Sequence, residues 1–444
     1  MRTPLARFAR LLPALVALTL LAACGTAPTA TAPSAAPAAA TAPIVEGATA
    51  APAATAEPAG QPTAAQPATG EPIKIGVISD LSKNLKYYGE MQLNGLKAGI
   101  DYATDGTFQV NGRPIEILPP KDDEGNPEKG AALARELIEK DGAEILQCCA
   151  SSSVALAVIE VAKQFKKVAM IDPAASPAIT GTNFNRYVFR TGRNTFQDAA
   201  TAGPYLVKNV GAQFVQIAPD NDFGKGSAAS WRSVIEQAGG SWSGDDVLIP
   251  PDTTDFTPYL QKILDSDAKV LFVTWAGASF VPLFKQMQEQ GIFEEKTVAT
   301  GFGDNATLPA VYKEALGSVG MIAYHYTLPK TPANDWLVAY YQKNFNRQPD
   351  LFDAGGMAAG IAIVEGLKKT GGDPEAEALI GALEGLSFEG PKGTYTFRKE
   401  DHQALQPMYM VKLVNIDSPD KKFFELVQEV SPQDSAPPVV PPKQ

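Results

Sequence analysis

The stretch AEILQCCASSSVALAVIEVAKQFKKVAMIDPAAS, at residues 143–176, is typical of two successive strand-turn-helix units. AEILQCC is an apolar run of the length expected for a buried parallel strand, and KVAMID supplies a second one. Between them, Val154, Val158, Val161 and Phe165 recur at helical spacing, which predicts an amphipathic helix. This pattern favours a parallel α/β sheet at the centre of the fold.

Small polar residues occupy the turns of this stretch: Ser151, Ser152 and Ser153 follow the first strand, and Ser176 follows the second. In a parallel α/β sheet such turns lie at the carboxyl ends of the strands, where ligands bind. Helix N-termini there offer unpaired N–H groups, and serine hydroxyls add donors, so the turns suit a carboxylate. The same serines also fit ordinary helix caps, and the stretch alone favours neither interpretation.

The composition limits the possible partners and chemistry. A chain of 444 residues is long enough for more than one domain, and its formal net charge of -11 argues against a nucleic-acid partner. The only histidines are His325 and His402, which excludes a histidine-rich metal site and leaves a Ser-His hydrolase two candidate bases.

Cysteines are equally sparse. Cys148 and Cys149 are adjacent, a spacing that closes no loop and forms no CxxC metal site. Because neighbouring residues of one strand point to opposite faces, we expect both thiols to be unpaired and to pack as small hydrophobic side chains.

The N-terminus is typical of a secretory signal. Three arginines within the first ten residues precede an apolar run at residues 11–23 that is too short for a membrane-spanning helix. The sequence LAACG at residues 21–25 resembles the lipobox of bacterial lipoproteins. That resemblance implies that residues 1–23 are removed and that Cys24 is lipidated; the alternative is ordinary cleavage with a free Cys24. Export is expected in either case.

Two terminal segments have the composition of disordered chain. Residues 24–72 are almost entirely Ala, Pro, Thr and Gly, which predicts a disordered tether. The Pro-rich segment 431–444 is expected to be a disordered tail.

Between these two segments, strand and helix patterns alternate again after residue 192. FVQIAPD, KVLFVTW and KTVATGF are typical strands, so the pattern predicts a second doubly wound sheet.

Six pieces of the chain carry a family resemblance, in the family's order and spacing: CASSSVALAV, DPAAS, YVFRTG, NDFGKG, TTDFTPYL and GPKGTYTFRKEDHQALQPMY. With them, residues 73–430 resemble the leucine/isoleucine/valine-binding proteins and their amide-binding relatives, the type I substrate-binding components of ABC transporters. The resemblance implies the periplasmic binding protein type I fold, with two doubly wound α/β lobes joined by a three-crossing hinge. It assigns residues 73–192 with 328–405 to the N-terminal lobe, and 193–327 with 406–430 to the C-terminal lobe.

The resemblance also implies the ligand-binding residues of the first lobe. Ser151 matches the family serine that holds the ligand carboxylate. Ala174 matches a residue that binds through its backbone, and Ser176 one that binds through its hydroxyl. Tyr88 matches an aromatic residue that covers the ligand side chain.

The second lobe departs from the family pattern. Phe223 stands where the family has a tyrosine, and it keeps the ring without the hydroxyl. Another family tyrosine falls at Ala276, beside which Trp275 could form a wall. The ammonium-binding glutamate falls at Gly303, next to Asp304, which fits the cap of a following helix equally well. The family's disulfide is also missing.

The resemblance implies an extracytoplasmic solute-binding lipoprotein of an ABC importer, anchored to the membrane by its lipid, that is not an enzyme and needs no cofactor or metal. Its ligand would be a small carboxylate-bearing molecule, such as a branched-chain or related amino acid, an amide or an aromatic acid, and its partners a permease with its ATPase. A sensory receptor on the same fold is the alternative. GxSxG, P-loop and HExxH motifs do not occur in the sequence, which argues against an enzyme.

The lipobox generates a prediction. Cys24→Ser should release the protein from membranes into the medium, or leave an unprocessed precursor, because the residue that receives the lipid is gone. Membrane fractionation with mass spectrometry of the N-terminus would test this, and a normally processed variant that stays on the membrane would contradict lipidation.

Overall fold

The computed structural model describes residues 70–441. The signal peptide, Cys24 and nearly all of the expected tether lie outside the described residues. Within residues 70–441, no helix is both long enough and apolar enough to cross a bilayer.

The first sheet is built by the N-terminal part of the chain, and its strands alternate with helices. Its elements are β1 (Ile73–Ser79), α1 (Lys86–Ala103), β2 (Gln109–Val110), β3 (Arg113–Ile117), β4 (Lys121–Asp122), α2 (Pro127–Glu139), β5 (Ile145–Cys148), α3 (Ser152–Phe165), β6 (Val168–Ile171), a short 3-10 helix (Pro177–Thr180) and β7 (Val188–Arg190). The strand order is β2-β3-β1-β5-β6-β7, with β4 beside β1, and every pair except β2–β3 is parallel. Both faces of β5 and β6 are buried, as their continuous apolar runs predict.

The second sheet is also parallel, and its strands also alternate with helices. Its elements, with the strand that comes after them, are α4 (Thr195–Asn209), β8 (Gln213–Pro219), α5 (Asp222–Gln237), β9 (Ser241–Trp242), β10 (Val247–Ile249), α6 (Thr257–Leu264), β11 (Val270–Val273), α7 (Phe280–Glu289), α8 (Ile292–Glu295), β12 (Thr297–Thr300), α9 (Leu308–Val311), a 3-10 turn (Lys313–Ala315) and β13 (Val319–Ile322). The parallel order is β10-β8-β11-β12, with β9 beside β8.

The C-terminal part of the chain adds three helices and the strands of two further sheets, both antiparallel. Its elements are α10 (Pro332–Phe345), α11 (Asp353–Lys369), α12 (Ala376–Leu383), β14 (Ser387–Gly390), β15 (Gly393–Phe397), β16 (Ala404–Leu405), β17 (Met408–Leu413) and β18 (Phe424–Val430). We call the first sheet with α1–α3, α10–α12 and β14–β16 the first lobe, and the second sheet with α4–α9, β13, β17 and β18 the second lobe. The exact boundaries expected from the sequence stay predictions.

The chain crosses between the lobes after β7, after β13 and between β16 and β17. Side-chain amides join two of these crossings. Gln403 Nε2 donates to the carbonyl of Gly192 at 2.9 Å, and Gln406 Nε2 donates to the carbonyl of Thr191 at 2.8 Å. The hinge strands are therefore held side by side by buried hydrogen bonds.

The prediction of two free thiols is wrong. Cys148 and Cys149 form a disulfide, and the peptide bond between them is cis. Strand β5 ends at Cys148, so the alternation of neighbouring side chains does not extend to Cys149. The carbonyl of Cys149 instead accepts from the N–H of Ala174, which joins the turns after β5 and β6.

The prediction of a disordered tail is corrected for residues 431–441. The side chain of Ser435 is fully buried, and Arg398 Nη1 donates to the carbonyl of Pro437 at 2.8 Å. A Pro-rich composition favours disorder, but proline has few backbone conformations to lose, so such a segment can dock at low entropic cost.

Helices α1 and α11 pack closely through glycines. A Cβ added at Gly99 would lie 2.2 Å from the carbonyl oxygen of Met357 and 3.0 Å from the Cα of Gly360. The two backbones therefore touch, and α11 is fixed to the first lobe without space for a methyl group.

This contact predicts the effect of a methyl group on stability. Gly99→Ala should lower the free energy of unfolding by about 2 kcal/mol or more, because the backbones must separate. Gly381→Ala is the matched control, since a Cβ in the exposed α12 position meets nothing within 4 Å; it should add about 0.5–1 kcal/mol. Urea unfolding of both variants tests this, and equal stability of the two would contradict the packing argument.

Candidate ligand-binding site

A cavity of about 140 Å³ lies between the lobes. It is bordered by the segments after β5, β6 and β7 on one side and by those after β8, β11 and β12 on the other. Much of its wall is aromatic and includes Tyr88, Phe223, Trp275, Phe302 and Phe352. An apolar cavity of roughly 150 Å³ holds one benzene molecule, so the space suits a small ligand.

The triple-serine turn contributes differently through each residue. Ser152 Oγ accepts from the N–H groups of Ala175 and Ser176 at 3.2 and 3.1 Å, which ties neighbouring turns together. Ser153 Oγ donates to Asp222 Oδ2 of the second lobe at 2.6 Å. Ser151 caps α3, but its Oγ lies 3.5 Å from the N–H of Val154. Ser151 is half-buried and lines the cavity, so its weakly held hydroxyl is free to bind a ligand.

The turn after β6 differs from its expected role. Pro173 and Ala175 form the cavity wall, whereas Ala174 and Ser176 are buried beside it. The N–H of Ala174 already donates to Cys149, and Ser176 Oγ accepts from the N–H of Ala178 at 3.4 Å. The binding roles expected for Ala174 and Ser176 therefore stay predictions, and Ser176 acts as a cap in this conformation.

Three expected aromatic residues line the cavity together: Tyr88, Phe223 and Trp275. Tyr88 packs edge-on against Phe352, with ring centroids 4.8 Å apart, and its hydroxyl accepts from the N–H of Gly277 at 3.3 Å. Burial raises the pKa of the Tyr88 phenol, so the hydroxyl stays neutral. Trp275 is fixed by a 3.0 Å hydrogen bond from its Nε1 to Ser279 Oγ. The rings are therefore held in place from both lobes.

Asp304 makes the contacts of a capping residue. Its Oδ1 accepts from the N–H groups of Ala306 and Thr307 at 3.1 and 2.9 Å and from the Thr307 hydroxyl. The adjacent Gly303, which lacks a side chain, lines the cavity. A role for Asp304 with a ligand ammonium group stays a prediction, while the capping alternative has its hydrogen bonds in place.

Arg193, Asp198 and Asn84 also line the cavity, although they are not among the site residues predicted from the sequence. Arg193 Nη1 donates to the carbonyl of Pro173 at 3.2 Å, and Arg193 Nε lies 3.4 Å from Asp198 Oδ1. A signal for Arg193 was present, because it closely follows a strand in the same sheet as the strand before Ser151.

Asn84 joins the two lobes at the mouth of the cavity. Its carbonyl accepts from the N–H of Ala278 at 2.9 Å, its Oδ1 from the N–H of Ser279 at 3.0 Å, and its Nδ2 donates to Ala276 at 3.3 Å. Gly277 lies so close that a Cβ there would be 2.5 Å from the Asn84 carbonyl oxygen. These contacts describe a closed arrangement of the lobes.

The residues that the structure describes contain no group of three or more His, Cys, Asp or Glu side chains placed to hold a metal ion.

The profile of the periplasmic binding proteins matches residues 72–419. The chain belongs to the periplasmic binding protein family. The family resemblance and the two-lobed α/β fold of type I expected from the sequence are both confirmed.

The relatives are solute-binding proteins of ABC transporters. Leu/Ile/Val-binding protein homolog 6 of Brucella melitensis is 25% identical over 79% of this chain and 90% of its own length. An ABC-type branched-chain amino acid transporter protein of Rhodopseudomonas palustris is 36% identical, with a TM-score of 0.69 over 83% of this chain and 99% of its own. A solute-binding protein from the same species, solved with 3,4-dihydroxybenzoic acid, is 25% identical, with a TM-score of 0.73 over 81% and 97% of the two chains.

The contacts of Asn84 predict an effect on closure. Asn84→Ala removes two interlobe hydrogen bonds, each contributing about 1 kcal/mol, so the affinity for the ligand recovered from the purified protein should fall about thirtyfold. Asn209→Ala, an exposed amide at the end of α4, is the control and should bind normally. Calorimetric titration measures both, and unchanged affinity in Asn84→Ala would contradict a role in closure.

Proposed function

We propose that this protein captures a small carboxylate-bearing molecule outside the cell and delivers it to the permease of an ABC importer. The observation that carries the proposal is the cavity between the lobes, with the hydroxyl of Ser151 at the N-terminus of α3 and aromatic rings on both sides. A helix N-terminus favours an anionic group through its dipole and unpaired N–H groups. Membership of the family, whose proteins are extracytoplasmic and not enzymes, supports the proposal.

The relatives indicate which carboxylates to consider. One similar protein is named for branched-chain amino acid transport, and another was solved with an aromatic acid. Branched-chain or related amino acids, amides and aromatic acids are therefore the ligand classes of this proposal. The cavity size agrees with a molecule of about one ring.

Closure of the lobes is the proposed mechanism. The ligand contacts both lobes at once, so it binds the closed form more strongly than the open form and shifts the population toward it. The hydrogen bonds that Asn84 makes to the second lobe, and the one from Ser153 to Asp222, add to the stability of the closed form. No chemical step is required.

The membrane anchor completes the proposal. Lipidation at Cys24 would hold the protein at the membrane, and the segment 25–72 would let the folded lobes reach the permease. The Ala, Pro and Thr composition of this segment supports a tether, because it has too little apolar bulk to form a core.

Mass spectrometry of the ligand released from purified protein, followed by titration with that compound, tests the proposal. Ser151→Gly should lower affinity by about one to two powers of ten, because a hydrogen bond to a charged group contributes about 1.5–3 kcal/mol. Glycine keeps most of a helix cap's stability, so the melting temperature should hold. Full affinity in Ser151→Gly would leave this serine as a cap only.

Asp304→Asn is the companion variant, because asparagine caps as well as aspartate. Affinity should fall comparably if the ligand carries an ammonium group bound by this carboxylate, and should hold if the ligand is a simple acid. The capping contacts of Asp304 favour unchanged affinity.

A further inference from the structure

Four buried ionisable side chains and the half-buried Arg193 lie at the hinge end of the cavity: Arg190, Arg193 and Lys392 are cationic, and Asp172 and Asp198 are acidic. Burial raises the pKa of Asp172 to about 7 and lowers the pKa of Lys392 to about 7. Both side chains therefore titrate near pH 7, and their charges roughly cancel. The remaining three groups are two arginines and one carboxylate. This end of the cavity therefore carries an excess of positive charge.

Two of the cations are already occupied by neutral partners. Arg190 is fully buried and donates to Gln403 Oε1 at 2.7 Å and to the carbonyl of Ser176 at 2.6 Å. Lys392 Nζ donates to Gln406 Oε1 at 3.0 Å. Their hydrogen bonds hold the hinge, and neither side chain lines the cavity in the described structure.

Arg193 is different because it lines the cavity and retains unused donors. A guanidinium carries five N–H groups. Within residues 70–441, Arg193 makes one hydrogen bond, to Pro173, and its buried Nε has no hydrogen-bond partner. The Asp198 carboxylate lies 3.4 Å from Nε without forming a hydrogen bond. The fork of Arg193 is therefore able to bind a second carboxylate.

The position of Arg193 fits the carboxylate end of the site. Strands β5, β6 and β7 are parallel neighbours, and Ser151, Pro173 and Arg193 follow them in that order. The Arg193 guanidinium also lies 5.5 Å from the ring centroid of Phe352, which forms part of the aromatic wall. A carboxylate near Ser151 and Arg193 would place the rest of the ligand against aromatic rings.

We propose that Arg193 binds the ligand carboxylate and that the ligand is an aromatic monocarboxylate without an α-amino group. The proposal rests on the proposed function and names its ligand class. Asp198 is the only carboxylate among the described residues that line the cavity, and it faces Arg193. An α-ammonium group would have to compete with Arg193 for the Asp198 carboxylate. An aromatic ring would pack against Tyr88 and Trp275 and would need no hydrogen-bond partner.

Calorimetric titration with benzoate and with its neutral analogue benzamide tests the proposal. The wild-type protein should bind benzoate about ten- to a hundredfold more tightly than benzamide, and more tightly than L-leucine or L-phenylalanine. Arg193→Met should remove the preference for benzoate over benzamide. Arg186→Met, an exposed arginine paired with Glu377 on the surface, is the matched control and should keep it.

A second variant distinguishes a loss of ligand preference from a loss of folding. Arg193→Met leaves Asp198 without its ion pair, so Arg193→Met with Asp198→Asn removes both charges; this double variant should fold and still lack the preference. Retained preference in either variant would overturn the role of Arg193. Wild-type protein that binds the amino acids better than benzoate, or binds no aromatic acid, would overturn the ligand class. Capture and transport of a different small carboxylate would overturn the ligand class and leave the proposed function intact.

Discussion

Both the hinge and the cavity wall depend on the hydrogen bonds of the buried Arg190 guanidinium. It joins the turn after β6, through the carbonyl of Ser176, to Gln403 near the third crossing, and Gln403 in turn holds Gly192 at the first. A buried charge without its hydrogen bonds carries a large desolvation penalty, so these segments are held together as one unit. The turn that borders the cavity is therefore tied to the crossings, and in the proposed mechanism it keeps its shape while the lobes close.

The sequence identified the architecture because its signals are local. AEILQCC and KVAMID are apolar runs, and they became β5 and β6, buried on both faces. The same reasoning located Ser151, since a serine between a strand and a helix lies at the ligand-binding edge of a parallel sheet. Tyr88, Phe223 and Trp275 needed the family resemblance, because aromatic residues in loops also occur in ordinary cores. All three line one cavity in the structure.

Two features of the site could not be predicted from local sequence patterns, and one prediction about the cysteines was wrong. Whether the N–H of Ala174 is available depends on the carbonyl of Cys149, which a different strand brings within 3.0 Å. Cys149 itself lies one residue beyond the strand, and strand ends are the least certain feature of a periodicity argument. The sequence around Asp304 fits a cap and a ligand contact equally well; the structure shows its carboxylate accepting from the N–H groups of Ala306 and Thr307, and its role toward a ligand stays a prediction.

Capping and ligand binding need not compete at the triple-serine turn, because the three hydroxyls share the tasks. Ser152 fixes the turns to each other and Ser153 reaches the second lobe, so the shape of the site does not depend on Ser151. The 3.5 Å contact of Ser151 with Val154 is long for a hydrogen bond and loses little when the hydroxyl rotates. In the proposed mechanism, closure would bring the aromatic walls of both lobes around a carboxylate at the ends of β5 and β7. An anion at that position would also balance the positive charge of the hinge residues, so the same negative group would favour both binding and closure.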